Sequence, residues 1–203
     1  PTTDTTNDPA TLIANYRALL SLYCDAPSQV NPDQIARSTN LLGALYARER
    51  SPNLSLEVAA LIRHAAKLGI SAAKSVALPL DRWSKEPPPA IRCLNSADEM
   101  IGALQALERS KAPWFITYVM GVAVDATVDK SVRAVAKKNL GKRVRNVRSL
   151  FNAAAEVAAS HDPVTTVLIT LDIFKQCQPI DLTDAEVATE NLVIAVCDAA
   201  KRY

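Results

Sequence analysis

Residues 162–173 have the sequence DPVTTVLITLDI. Their β-branched side chains are typical of a strand, but the stretch begins with an aspartate directly before a proline. This pair is typical of a helix start, because the aspartate can accept a hydrogen bond from the first turn and proline lacks only an N–H that has no partner there. We therefore expect a helix and an all-α fold, with a strand of a small sheet as the alternative here and at 115–124.

Helix-start signals recur along the chain. Asx-Pro pairs stand at Asp8-Pro9, Asn31-Pro32 and Asp162-Pro163. Capping boxes stand at 96–99 (SADE) and 183–186 (TDAE), and another start is indicated near Ser55. Gly69 is either a C-terminal cap or a weak point within a helix. The expected helices lie near 9–25, 32–50, 56–77, 97–110, 114–127, 130–159, 163–177 and 184–201.

These signals predict a compact bundle of about seven to eight helices with a proline-rich loop in the middle. Residues 1–8 are a polar Thr/Asp/Asn segment, which we expect to be a disordered arm. Residues 9–203 are expected to form a single helical domain. The tripeptide Pro87-Pro88-Pro89 interrupts it, so a subdivision is expected, if anywhere, at 79–95.

The composition argues against several classes of protein. The longest uncharged apolar run, 114–124, is about half of the ~20 residues that a transmembrane helix needs, and the start of the chain has no secretory pattern. The four cysteines are far apart and only two histidines are present, so we expect no metal and no cofactor. Reduced, buried cysteines in an intracellular, reducing compartment (cytoplasm or nucleus) are the expectation, with a disulfide as the alternative.

No catalytic residue is predicted. His64 and His161 are interpreted as structural or loop residues, and a dyad of Cys177 with His161 would lack a third orienting group. The chain contains no phosphate-binding loop and no H-E-x-x-H motif. We therefore expect a protein that is not an enzyme.

The strongest charge bias lies between Lys130 and Arg148, a segment without acidic residues. Its eight basic residues are Lys130, Arg133, Lys137, Lys138, Lys142, Arg143, Arg145 and Arg148. Of 23 basic residues in the chain, 15 lie elsewhere, against 21 acidic residues, which is a formal balance of −6 outside this segment. A local positive potential of this kind attracts polyanions.

If 130–151 is one helix, six of these cations share an arc of about 140° opposite an apolar face, while Arg133 and Arg143 fall outside the arc. A break at Gly141 is the alternative, with Lys142 at the start of a second helix. Three interpretations remain open: a solvated face, binding to the phosphate backbone of RNA or DNA, and attachment to an acidic protein or an anionic membrane.

Five aromatic residues are candidates for a protein interface or a homo-oligomer contact, although core packing is the default interpretation. They are Tyr16, Tyr23, Tyr46, Trp83 and Trp114. The sequence thus predicts a non-enzymatic helical nucleic-acid-binding or assembly protein, similar in plan to a nucleoprotein or capsid subunit. The alternative is a helical adaptor or scaffold for other proteins.

Overall fold

The computed structural model describes residues 8–78, 83–177 and 179–201. Within these ranges the protein has ten α-helices and no β-strand. The helices are α1 (Pro9–Asp25), α2 (Pro32–Arg48), α3 (Pro52–Lys67), α4 (Ser71–Ser75), α5 (Ala97–Leu107), α6 (Phe115–Val124), α7 (Lys130–Arg143), α8 (Val147–Ala158), α9 (Pro163–Gln176) and α10 (Ala185–Ala200). The predicted all-α class is confirmed. The predicted disordered arm, apart from Asp8, lies outside the described residues, as does the part of the proline-rich loop at 79–82.

The three Asx-Pro signals mark helix starts, as predicted. The side chains of Asp8, Asn31 and Asp162 accept hydrogen bonds from the amides of Thr11 (2.9 Å), Asp33 (2.8 Å) and Thr165 (2.7 Å). In α9 the hydroxyls of Thr166 and Thr170 donate to carbonyls one turn earlier, at 2.9 and 2.6 Å. Residues 164–173 are therefore helical despite their β-branched side chains. Residues 115–124, the other possible strand, form helix α6.

The helix count exceeds the prediction because two expected helices are each divided. Gly69 ends α3 with a positive φ of 94°, and the amides of Gly69 and Ile70 donate to the carbonyls of Ala66 and Ala65 in a Schellman cap. The segment after it forms the separate helix α4. The expected helix 130–159 is divided after Arg143, rather than at Gly141.

Residue Asn146 explains the second division. Its side chain accepts a hydrogen bond from the amide of Ser149 at 2.8 Å, which caps α8. The segment's last two cations therefore lie outside α7, with Arg145 in the connection and Arg148 in the first turn of α8. The single amphipathic helix expected for residues 130–151 is corrected to two helices.

Neither capping box forms completely. Ser96 caps α5 by accepting from the amide of Glu99 at 3.2 Å, but the Glu99 carboxylate binds Arg17 instead of the helix start. At the start of α10 the box is absent: the N-cap is Asp184 in the left-handed region (φ 60°), with no capping bond from its side chain. Thr183 bonds to Asp181, so neither residue satisfies an α10 amide through its side chain.

The described chain divides into two compact units. Unit 1 consists of the described residues up to Trp83 together with Pro88–Arg109, and it contains α1 to α5. Its core lies around α3, which packs against α1, α2, α4 and α5. The prediction of a single domain stays a prediction, and each unit is described by itself.

Unit 2 consists of Ser84–Pro87 and the described residues from Ser110 onward, with helices α6 to α10. Helix α8 is central, because it packs against α6, α9 and α10, while α7 lies against α6 and α9. Leu140, Val144 and Leu150 are fully buried here. Of the helices in 8–78, 83–177 and 179–201, none is long and apolar enough to cross a membrane.

Candidate nucleic-acid interface

Helix α7 presents one buried side to unit 2. Asp129 caps the helix by accepting from the amide of Ser131 at 2.7 Å, and Val132, Ala136 and Leu140 have no exposed surface. Because these positions recur at spacings of four residues, one face of α7 is fixed against α6 and α9. The opposite face carries the exposed side chains of this helix.

Lys137, Arg143 and Arg148 have partners within unit 2. Lys137 Nζ lies 2.9 Å from Asp172 Oδ2, and Arg148 Nη1 lies 3.0 Å from Asp184 Oδ2. The guanidinium of Arg143 donates to the carbonyl of Ser110 and lies 4.8 Å from the centre of the Phe115 ring. Those contacts give each of these side chains a structural role, although Arg148 stays 64% exposed.

Arg133 lies at the edge of the buried face. It is half-buried, and its Nε atom is buried with no hydrogen-bond partner among the described residues. The pKa of Asp129 is lowered, first by hydrogen bonds from Ser131 and in smaller part by the charge of Arg133. The charge of Arg133 therefore acts on the residue that caps its own helix.

The four remaining cations project into solvent, and we call them the exposed basic set. The set consists of Lys130, Lys138, Lys142 and Arg145. Lys130 and Lys138 have no ion pair with any residue that the structure describes, while Arg145 donates one hydrogen bond to the carbonyl of Val144 at 3.0 Å. The first three lie within about 120° of one another on α7, since each helical residue turns the chain by about 100°.

The five aromatic candidates divide between core and surface. Tyr16 and Tyr46 are 1% and 2% exposed, and Trp83, 3% exposed, meets the Tyr46 ring edge-on at 6.4 Å. For these three the interface interpretation is corrected to core packing, because their burial leaves almost no area for a partner. Tyr23 and Trp114 are half-buried, so they retain exposed surface.

The histidines and the buried thiol do not form a recognisable catalytic arrangement. Burial lowers the pKa of His64 and raises the pKa of Cys177. His161 lies beside Ser160, with its Nδ1 at 3.0 Å from the hydroxyl. No cluster of three or more metal-ligating side chains occurs within 8–78, 83–177 and 179–201.

Sequence reasoning missed a part-buried ionic cluster in unit 1. Arg17 on α1 binds the carboxylates of Glu57 on α3 and Glu99 on α5, with 2.7 Å between Arg17 Nε and Glu99 Oε1. These carboxylates raise the pKa of Arg17, chiefly because Glu99 accepts hydrogen bonds from its guanidinium. Because the partners lie 40 and 82 residues away, no local pattern could have indicated them.

The cysteines also differ from the expectation. All four are free, but Cys24, Cys93 and Cys197 are exposed and only Cys177 is buried. The expectation of buried thiols was wrong for the three, because those positions lie on outward faces of their elements.

Thiol labelling should distinguish the three exposed cysteines from the buried Cys177. With 5,5′-dithiobis(2-nitrobenzoate) in native buffer, we expect Cys24, Cys93 and Cys197 to react at least about tenfold faster than Cys177. Burial restricts access to Cys177 and raises its pKa, so less thiolate is present at a given pH. Peptide mass spectrometry would identify each site, and equal labelling of Cys177 would contradict its placement.

Comparison with protein-family models, curated proteins and solved structures found no match to this chain.

Proposed function

We propose that the protein is a non-enzymatic helical binding or assembly protein whose exposed basic set contacts the phosphate backbone of RNA or DNA. The observation that supports the proposal is the projection of four cations into solvent from α7 and its connection to α8. No acidic residue occurs between Lys130 and Ala155, so the charge of this stretch is uniformly positive, with Asp129 and Glu156 as the acidic residues that border it. Polyanion binding requires this combination of exposure and a local excess of positive charge.

Contacts to phosphate rather than to bases fit the surroundings of the exposed basic set. No aromatic residue occurs between Lys130 and Leu150, and the Phe151 ring meets Phe174 at 6.1 Å within unit 2. Base reading in single strands depends on exposed aromatic platforms. The proposed binding is therefore electrostatic and independent of sequence, as a coat or assembly protein requires.

Salt dependence gives the number of phosphates contacted. Four contacts to a single strand predict a slope of about −3 in log K against log salt, which is a loss of about 50-fold between 50 and 200 mM salt. If all eight basic residues made contacts, the slope would be about −6. We expect the smaller value in fluorescence anisotropy with a labelled single-stranded RNA of about 20 nucleotides, because Lys137, Arg143 and Arg148 make contacts within unit 2 and Arg133 is half-buried.

A pair of matched variants tests the site. Changing Lys130, Lys138, Lys142 and Arg145 together to alanine should abolish RNA binding at 50 mM salt. The control removes four exposed cations elsewhere, at Arg48, Arg50, Lys74 and Lys85, and should retain most of the affinity. Equal losses in both variants would indicate nonspecific attraction, and no binding by the unmodified protein at low salt would refute the proposal.

A second candidate function is that of an adaptor or a subunit of a homo-oligomer. Val164, Leu168 and Leu171 follow one face of α9 and are 64%, 63% and 46% exposed. Exposed apolar side chains in a row are typical of surfaces that bind protein. Light scattering would test self-association: a dimer that Leu168→Asp converts to a monomer would support this role.

The proposed compartment is an intracellular, reducing one. The three exposed thiols support it, because exposed cysteines outside a reducing environment tend to oxidise.

A further inference from the structure

A pocket of about 300 Å³ lies in unit 2, and neither the basic set nor the α9 face contributes to it. Its walls come from the proline-rich loop, from the connection before α6 and the first turn of that helix, and from α8. They consist of Pro87, Pro113, Trp114, Thr117, Tyr118 and Glu156. A volume of this size is at the lower end of the range for small-ligand sites.

Two aromatic rings form a corner of the pocket. Trp114 and Tyr118 have ring centres 5.6 Å apart and planes inclined by 75°. The amide of Tyr118 donates to the carbonyl of Trp114 at 2.9 Å, so the first turn of α6 holds the two rings on one side. Rings at such an angle present an electron-rich face beside a neighbouring ring edge.

The charges around the pocket favour a cation. Glu156 is exposed and has no ion pair among the described residues, and no basic residue lines the pocket. Aromatic faces attract ammonium and guanidinium groups, most strongly when the ring is tryptophan. An anion would find no positive partner on these walls, and a neutral apolar group would gain no attraction from the carboxylate.

We propose that this pocket binds an organic cation of the alkylated-ammonium class, with the Trp114 and Tyr118 rings around the cation and Glu156 as its counter-charge. Pro87 and Pro113 stiffen the walls, because proline fixes φ and reduces the conformational freedom lost on binding. The same chemistry occurs in a free quaternary amine and in a methylated lysine side chain.

Ligand-observed NMR with tetramethylammonium tests the charge requirement. Saturation transfer to its methyl protons should increase with protein concentration until the site is saturated. The uncharged probe is tert-butanol, because neopentane, the neutral isostere of tetramethylammonium, is too insoluble. We expect tert-butanol to bind at least about tenfold more weakly. Equal binding of tert-butanol, or no transfer from tetramethylammonium, would overturn the proposal.

Variants test whether the ligand binds in this pocket and whether it needs the aromatic ring of Trp114 rather than only the volume of an apolar side chain. Trp114→Leu keeps an apolar side chain but loses the aromatic face and should raise the Kd for tetramethylammonium at least about tenfold, whereas Trp114→Phe should stay within about threefold. Glu156→Gln should raise the Kd for tetramethylammonium about threefold or more. The control Glu190→Gln, on the exposed surface of α10, should leave this Kd unchanged. Thermal melts confirm folding, and unchanged binding by Trp114→Leu would overturn the proposal.

A capped peptide with a single trimethyl-lysine distinguishes the two sources of the cation. Binding at least about tenfold tighter than that of tetramethylammonium would identify a protein side chain as the ligand. Binding of tetramethylammonium with no binding of the peptide would identify a free amine. Failure of the RNA experiments would leave this result unaffected, because the pocket contains none of the exposed basic set.

Discussion

Replacing Gly102 by alanine is expected to lower the free energy of unfolding of unit 1 by about 3 kcal/mol. Gly102 lies where α5 crosses α3, and a Cβ there would overlap the carbonyl oxygen of Ala60 and stand 3.1 Å from its carbonyl carbon. The obstacle is backbone, so no side-chain rotation can relieve it. The two helices would have to separate, which would loosen the core around Leu61 and Leu104.

Gly121 provides the matched control. It lies inside α6, and an added Cβ would meet nothing within 4 Å. Since glycine costs a helix interior about 0.5–1 kcal/mol relative to alanine, Gly121→Ala should stabilise unit 2 by about that amount. The same chemical change is thus expected to have opposite signs at two helical positions.

Urea unfolding followed by tryptophan fluorescence measures both effects, because Trp83 belongs to unit 1 and Trp114 to unit 2. Single-tryptophan versions, with the other changed to phenylalanine, would report each unit separately. A loss below about 1 kcal/mol for Gly102→Ala would contradict the close approach of α3 and α5.

Replacing Arg17 by methionine is expected to destabilise unit 1 by about 3 kcal/mol. Methionine retains an apolar stem but removes the charge that Glu57 and Glu99 share. The Glu99 side chain is 7% exposed, so its carboxylate would remain nearly buried without a counter-charge. The expected loss lies at the low end for broken buried ion pairs because Arg17 and Glu57 are each 24% exposed.

Two further variants separate charge from packing. Lys67→Met removes a cation from an exposed pair with Asp98 at 3.7 Å and should cost less than about 1 kcal/mol. Adding Glu99→Gln to Arg17→Met should recover part of the loss, because one uncompensated charge is removed. Urea unfolding measures all of them, and equal effects of Arg17→Met and Lys67→Met would refute a buried role for the cluster.

Local signals predicted the fold class and most helix starts. The Asx-Pro pairs succeeded because the capping bond and the proline act within one turn, as at Asp8, Asn31 and Asp162. The divisions at Gly69 and near Asn146 were placed less well. A glycine or an asparagine is compatible with several local conformations, and packing on neighbouring helices selects one of them.

Long-range contacts account for what the sequence did not reveal. Glu99 suits a capping box, yet its carboxylate binds Arg17, 82 residues away. The basic segment was found by composition alone, but its division into exposed and paired cations depends on Asp172, Asp184 and Ser110. The aromatic corner could have been suspected from Trp114 and Tyr118 at a spacing of four, whereas Glu156 comes from another helix.

The connection before α8 is tied to the connection before α10 by a parallel bridge. The amide of Asp181 donates to the carbonyl of Arg145 at 2.8 Å, and the amide of Val147 donates to the carbonyl of Asp181 at 2.9 Å. These bonds close a loop that contains α8 and α9. The bridge should make α8, α9 and the two connections open together as one cooperative unit. In hydrogen–deuterium exchange the Asp181 amide should therefore be protected to a similar extent as the amides of those helices.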